Sequence, residues 1–329
     1  MSCFICFDLE GPLSPQDNAY ELMKLFPRGD RMFEIISRYD DLLTLEERSN
    51  YEPGDTLALI APFLLHHGVR EDDIRRLAQK AKLMDGASEL IFGLHFRRWR
   101  VFCISTSYEQ YALTIAQRLG IAPENVACTS FTLDSYAQLL CKEDFAMVEQ
   151  VESDILSLSL GDDEQIKSNL DRFFWFDLTP TTLGQVVTEL KPVGGERKVE
   201  ALKKFTSDYD RPLSGFIAVG DSITDFKMLE AINQSGGLAI AFNANEYALP
   251  YATLSLASTH LSDLNIVLDA WERGGRETVK EVVKERERLG GVGNREHFHW
   301  LEGVKDLEAP LDVHRRTRHL VREEAAKLG

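Results

Sequence analysis

The stretch that most constrains this chain is Cys3-Phe4-Ile5-Cys6-Phe7-Asp8-Leu9-Glu10-Gly11-Pro12-Leu13. Its apolar run suits a parallel strand buried on both faces, and Gly-Pro stops the run abruptly. A strand ending at Asp8 puts that carboxylate at the carboxyl edge of a sheet, where open α/β folds bind their ligands. Two residues apart in extended chain, Asp8 and Glu10 share a face while Leu9 points into the protein. Taken alone, the pair reads equally well as two solvated acids at a strand end.

Composition narrows the class. The chain has 329 residues, room for two domains or for one with large insertions, and 44% hydrophobic content suits an ordinary globular core. A formal net charge of −16 argues against nucleic acid or an anionic membrane as partner. A phosphorylated small molecule remains compatible, because a metal ion or local donors can reverse the field inside one pocket. No apolar stretch approaches the ~20 residues of a membrane span. With no basic region ahead of an apolar core at the N-terminus, a cytoplasmic protein is expected. Five cysteines, thinly spread, fit reduced thiols. Cys3 and Cys6 have C-x-x-C spacing, but on a strand they point to opposite faces, so core packing is expected. His66-His67 has no ligand-like partner nearby in sequence, and no metal is expected there.

Further strands are expected at Arg100–Ser105, Gly215–Val219 and Gly237–Phe242, each an apolar run followed by turn or helix signals. Strand–helix alternation implies right-handed parallel crossovers. Residues 15–84 read as mostly helical, with an interruption at Pro62, and form a candidate cap. Residues 1–14 and 85–262 form the core, carrying a second helical insertion at about 130–190. Residues 263–329 read as a charge-rich helical extension broken at Gly274-Gly275 and Gly290-Gly291. This tail is expected to pack on its own domain, with homo-oligomer or complex contacts as the other use for it.

Four positions then line up in order: Asp8 with Glu10, Ser105 after the second strand, Lys198 opening a helix, and Asp221 with Asp225 in Gly220-Asp221-Ser222-Ile223-Thr224-Asp225. Singly these are weak signals, since a strand-end serine is commonly a cap and a helix lysine commonly a solvated side chain. In order, the set resembles the haloacid dehalogenase superfamily of aspartate-nucleophile phosphatases, most closely its phosphoserine-phosphatase-like branch. Ile104-Ser105-Thr106-Ser107-Tyr108-Glu109 with Arg118-Leu119-Gly120 is similar to that branch's second motif. The resemblance covers roughly residues 3–14, 85–125 and 196–245.

What the resemblance implies is an α/β fold, a Rossmann-like parallel sheet with a helical cap, and a Mg²⁺-dependent phosphomonoester hydrolase. Asp8 would be the nucleophile, forming an aspartyl-phosphate. Mg²⁺ would be held by Asp8, the Glu10 carbonyl and Asp221, and Glu10 would serve as general acid and base. Ser105, Thr106, Ser107 and Lys198 would bind phosphate, with Asp225 and Ser222 in support. Asp17 or Glu21 would face a substrate ammonium, a phosphoserine-like metabolite being one candidate, and Arg48 is a guess for the substrate carboxylate. Glu10 departs from the commoner aspartate by one methylene, and Pro12 removes a hydroxyl the motif usually offers. A phosphotransferase is a near neighbour of this chemistry. The first turn also resembles archaeal proteins described as subunit R of an energy-converting hydrogenase, so an accessory or regulatory subunit on the same fold is the alternative from another class.

Overall fold

The computed structural model describes residues 3–289 and 296–322; the expected break at Gly290-Gly291 lies outside them. Among the described residues seven strands form one sheet: β1 (Phe4–Phe7), β2 (Arg100–Tyr108), β3 (Val126–Thr129), β4 (Phe216–Gly220), β5 (Leu238–Phe242), β6 (Leu254–Ser258) and β7 (Glu296–Trp300). Their order is β3-β2-β1-β4-β5-β6-β7. All pairings are parallel except β6 with β7. β1 lies between β2 and β4, so the chain order reverses beside it, and ligands of open α/β sheets bind at such a switch point.

The helices are α1 (Asn18–Met23), α2 (Gly29–Leu45), α3 (Thr56–His66), α4 (Glu71–Lys80), α5 (Ala87–Phe96), α6 (Glu109–Leu119) and α7 (Leu133–Ala137). They continue with α8 (Lys142–Ser157), α9 (Asp163–Arg172), α10 (Thr182–Glu189), α11 (Glu196–Asp208), α12 (Phe226–Gln234), α13 (Asn265–Leu289) and α14 (Glu308–Arg322). No helix among the described residues is long and apolar enough to cross a membrane.

The period of two along β1 divides the core. Ile5 and Phe7 join a large cluster with Val101, Cys103, Ile217 and Val219, while Phe4 and Cys6 join a second cluster with Phe102, Ile104, Phe216 and Ala218. Cys3 and Cys6 accordingly pack on opposite faces.

The two helical insertions pack against each other, α2 against α8 and α9, and α3 against α8 and α10. Polar bonds stitch them together: Arg38 pairs with Asp163 at 2.6 Å, and the Tyr39 hydroxyl donates to Asp171 at 2.6 Å. α3 runs unbroken through Pro62, contrary to the expected interruption, and its residues 57–65 are all buried. Burial on all sides outweighs the one hydrogen bond that proline forfeits.

Three strands differ from the sequence expectation. β3 is short and only partly buried. β6 alternates leucine with small residues, and β7 lies in the stretch expected to be helical. In β7 the alternation of Phe298 and Trp300, both buried, with His297 and His299 is a strand's period. Gly274 and Gly275 do break α13, with non-helical backbone at both.

Candidate active site

The site lies past the carboxyl ends of β1, β2 and β4. Asp8 follows the last residue of β1 and its amide donates to the Val219 carbonyl at 2.8 Å, which ties the carboxylate to the sheet. Leu9 is fully buried, and Asp8 and Glu10 both line the same cavity. Gly11 then turns with φ +101°, and a Cβ there would lie 2.4 Å from Asp221 Cγ. Only glycine allows both the backbone angle and the close approach of that carboxylate.

α11 begins just after Gly195 and carries Lys198 in its first turn. Lys198 is completely buried, and its ammonium donates to Asp8 Oδ1 and to Asp225 Oδ1, each at 2.7 Å. Asp225 Oδ2 accepts the amides of Asp221 at 2.9 Å and Ser222 at 3.1 Å, which folds the turn after β4. The Ser222 hydroxyl meets Thr224 Oγ1 at 3.0 Å. Lys198 is therefore inside the site.

β2 outruns its pairing with β1, which ends at Cys103, and its register with β3 shifts between Ile104 and Tyr108. That irregular stretch holds Ser105, Thr106 and Ser107. Ser105 Oγ accepts the Ser107 amide at 3.0 Å, and the Ser107 hydroxyl donates to Glu10 Oε1. Thr106 lines the cavity, with its hydroxyl donating to the Val193 carbonyl at 3.1 Å. Asp17 caps α1 by accepting the Tyr20 amide at 2.9 Å and lines the cavity too. Glu21 instead pairs with Lys24 at 3.2 Å, and Arg48 pairs with Asp171 at 3.0 Å; neither lines the cavity.

The electrostatics follow from burial. Burial and the neighbouring Asp225 and Asp221 carboxylates push Asp8 well up, against the pull of Lys198. Burial would lower Lys198, but Asp225 and Asp8 outweigh it and hold the ammonium charged. Glu10 is pushed up to about 7 by burial and then by Asp17, with the Ser107 hydroxyl opposing. Oxygens of Asp8, Asp221 and Asp225 lie within 4.8 Å of one another. Asp225 is spent on Lys198 and two amides, whereas Asp221 Oδ1 is buried with no hydrogen-bond partner. An orphaned carboxylate oxygen beside Asp8 fits a hard cation that prefers oxygen ligands.

One group of residues was absent from the sequence expectations. His314, Arg318 and Arg322 of α14 reach the loops after β4 and β5. His314 Nδ1 accepts the Ala244 amide at 2.7 Å; burial first, then nearby His299 and Arg318, pull it down to about 3, so the ring is neutral. Arg318 donates to Asp221 Oδ2 at 2.5 Å, and Arg322 reaches the same oxygen at 3.2 Å. Burial and the adjacent Arg322 lower Arg318 to about 10, which leaves it charged at neutral pH. The signal was present as His-x₃-Arg-x₃-Arg, a spacing of four that puts all three on one helix face. Elsewhere, folding also brings Glu152 to 2.8 Å from His67 Nε2, a partner that sequence distance had hidden.

No protein-family model matches the chain, and no curated protein matches it. Solved structures do. A structure of gene product AF1437 from Archaeoglobus fulgidus is 30% identical, spans 100% of this chain and 99% of its own, and superposes with a TM-score of 0.87. A phospho-aspartyl intermediate analogue of phosphoserine phosphatase is 18% identical, with 80% of this chain and 97% of that one covered at a TM-score of 0.50. The chain is a relative of gene product AF1437 over its whole length. The likeness to AF1437 runs through both helical insertions and the C-terminal extension. With the remoter phosphoserine phosphatase the chain shares the fold alone, over four-fifths of its length.

Proposed function

We propose that the chain is a Mg²⁺-dependent phosphomonoester hydrolase that works through an aspartyl-phosphate on Asp8. The observation that carries this reading is the Asp8–Lys198–Asp225 chain of 2.7 Å bonds beside the unpartnered Asp221 Oδ1. Asp8 and Asp221 would hold the metal, with the Glu10 carbonyl. Bound there, Mg²⁺ would supply charge neutralisation for a phosphate whose own oxygens repel a nucleophile.

Asp8 attacks phosphorus as the bond from phosphorus to the leaving oxygen breaks, and Glu10 gives that oxygen its proton. A water then attacks the phosphoaspartate while Glu10 takes the water's proton, and inorganic phosphate leaves with Asp8 restored. Lys198 stays charged throughout and steadies the negative charge on Asp8 and the phosphoryl group. Thr106 and the Ser105–Ser107 segment face the phosphoryl oxygens, and Asp17 lies on the substrate side. The cavity, of about 130 Å³, suits a small phosphorylated metabolite.

The test is phosphate release from a panel of small phosphomonoesters, with Mg²⁺, with chelator, and with Asp8→Asn. Metal-dependent turnover lost in the variant supports the hydrolase. No turnover on any ester by folded, Mg²⁺-supplied protein would contradict it and favour a binding subunit built on the same fold.

A further inference from the structure

The α14 face described above does more than pack. Arg318 also spans the backbone carbonyls of Asp221, at 3.4 Å, and Asn243, at 3.3 Å. With His314 it pins the helix to both loops that close the site. Asp221 thereby divides its two oxygens: Oδ2 faces two guanidinium groups, while Oδ1 keeps no partner. Two guanidinium groups thus converge on one carboxylate oxygen at the cavity wall. Both arginines line that wall together with Asp8, Glu10 and Asp17.

Position separates the two. Arg318 is bonded to Asp221 through side chain and backbone, and its place is fixed. Arg322 makes the longer contact, and its charge acts on Glu10 and on Asp17. Glu10 marks the leaving-group side of the site, since its proton goes to the leaving oxygen. A guanidinium on that side meets the alcohol half of the ester, away from the phosphoryl oxygens being transferred. Its planar fork of donors matches a carboxylate or a phosphate, which accept two parallel hydrogen bonds.

We propose that the C-terminal helix supplies the leaving-group subsite, that the site selects phosphomonoesters whose alcohol half carries a second anionic group, and that Arg322 binds that group. The inference rests on the phosphatase reading above. On binding, Arg322 exchanges its contact on Asp221 for the substrate's anion, and Arg318 retains Asp221. Asp221 Oδ1 is undisturbed by the exchange.

The experiment uses the full chain with Mg²⁺ and three probes: phosphoglycolate with a carboxylate, ethylene glycol bisphosphate with a second phosphate, and ethyl phosphate with neither. The expected kcat/KM favours at least one of the first two over ethyl phosphate by about ten- to hundredfold, mainly through KM, as befits a hydrogen bond between charged groups. Which of the two is favoured identifies the anion. Arg322→Gln should collapse that ratio towards one, and Arg322→Lys should restore part of it. A parent enzyme that does not discriminate would overturn the proposal. So would an Arg322→Gln variant that slows all three probes equally. If no ester is turned over, calorimetry on Asp8→Asn with Mg²⁺ separates the two ideas. Tighter binding of phosphoglycolate than of ethyl phosphate, lost when Arg322→Gln is added, would uphold the subsite without the phosphatase. Equal binding would sink it.

Discussion

Lys198 holds two carboxylates at once in a place water does not reach, with its side chain fully buried and those of Asp8 and Asp225 at 4% exposure or less. Such a triad stabilises little by itself, but removing its cation strands two buried charges. Lys198→Met should therefore destabilise the fold by about 3–5 kcal/mol, read as a lower midpoint in urea unfolding with an unchanged slope. A loss below about 1 kcal/mol would mean the site relaxes or admits water. Asp8, Glu10, Ser105, Lys198 and Asp221 were legible because their order along the chain is itself a pattern. Arg318 and Arg322 were not, since an arginine in a charge-rich helix looks solvated until its partner, 97 residues away from Arg318, is in place.

At the scale of elements, four strands could be read from continuous apolar runs, as doubly buried parallel strands require. β3, β6 and β7 lacked such runs: β3 is exposed in part, and β6 and β7 hide their strand character in alternation with serine and histidine. That the two insertions share one helical body was not readable either, because it rests on pairs such as Arg38–Asp163, 125 residues apart. This body is latched to the core beside the site. Arg197 pairs with Asp55, while Glu52 accepts Lys227 at 3.0 Å and the Glu196 amide at 3.1 Å. Opening the latch with Arg197→Gln and Glu52→Gln together should weaken local closure by about 1–2 kcal/mol. Amide exchange at residues 52–57 would then rise roughly 5- to 30-fold while β1, β4 and β5 keep their protection. An equal rise in those strands would show that the latch supports the whole fold.

Across the whole molecule, one buried acid ties stability to pH. Burial first, with Asp41 and Asp55 adding to it, pushes Asp40 up to about 7, against the bond that Tyr51 donates to it. Between its ordinary value of 3.8 and about 7, the folded protein keeps a proton that the unfolded chain has released. Stability from this group is thus fully present below the lower value and is lost as pH rises through that window. Asp40→Asn should flatten the decline, with the parent losing on the order of 2–4 kcal/mol more than the variant between pH 4 and 8. Parallel curves for the two proteins would place the proton elsewhere. Asp40 also lines the candidate-site cavity. The molecule brings together at one sheet edge an acidic first turn, an irregular second strand, a buried lysine and a terminal helix face of three basic residues.

If Asp8 is the nucleophile, it becomes phosphorylated during turnover. The direct measurement is rapid acid quench of the protein with Mg²⁺ and an ester it turns over, followed by mass spectrometry of the peptide containing Asp8. One added phosphoryl group is expected on Asp8, present during turnover, absent after chelation and absent in Asp8→Asn. Steady phosphate release with Asp8 unmodified at every quench time, or a phosphoryl group on another residue, would contradict it.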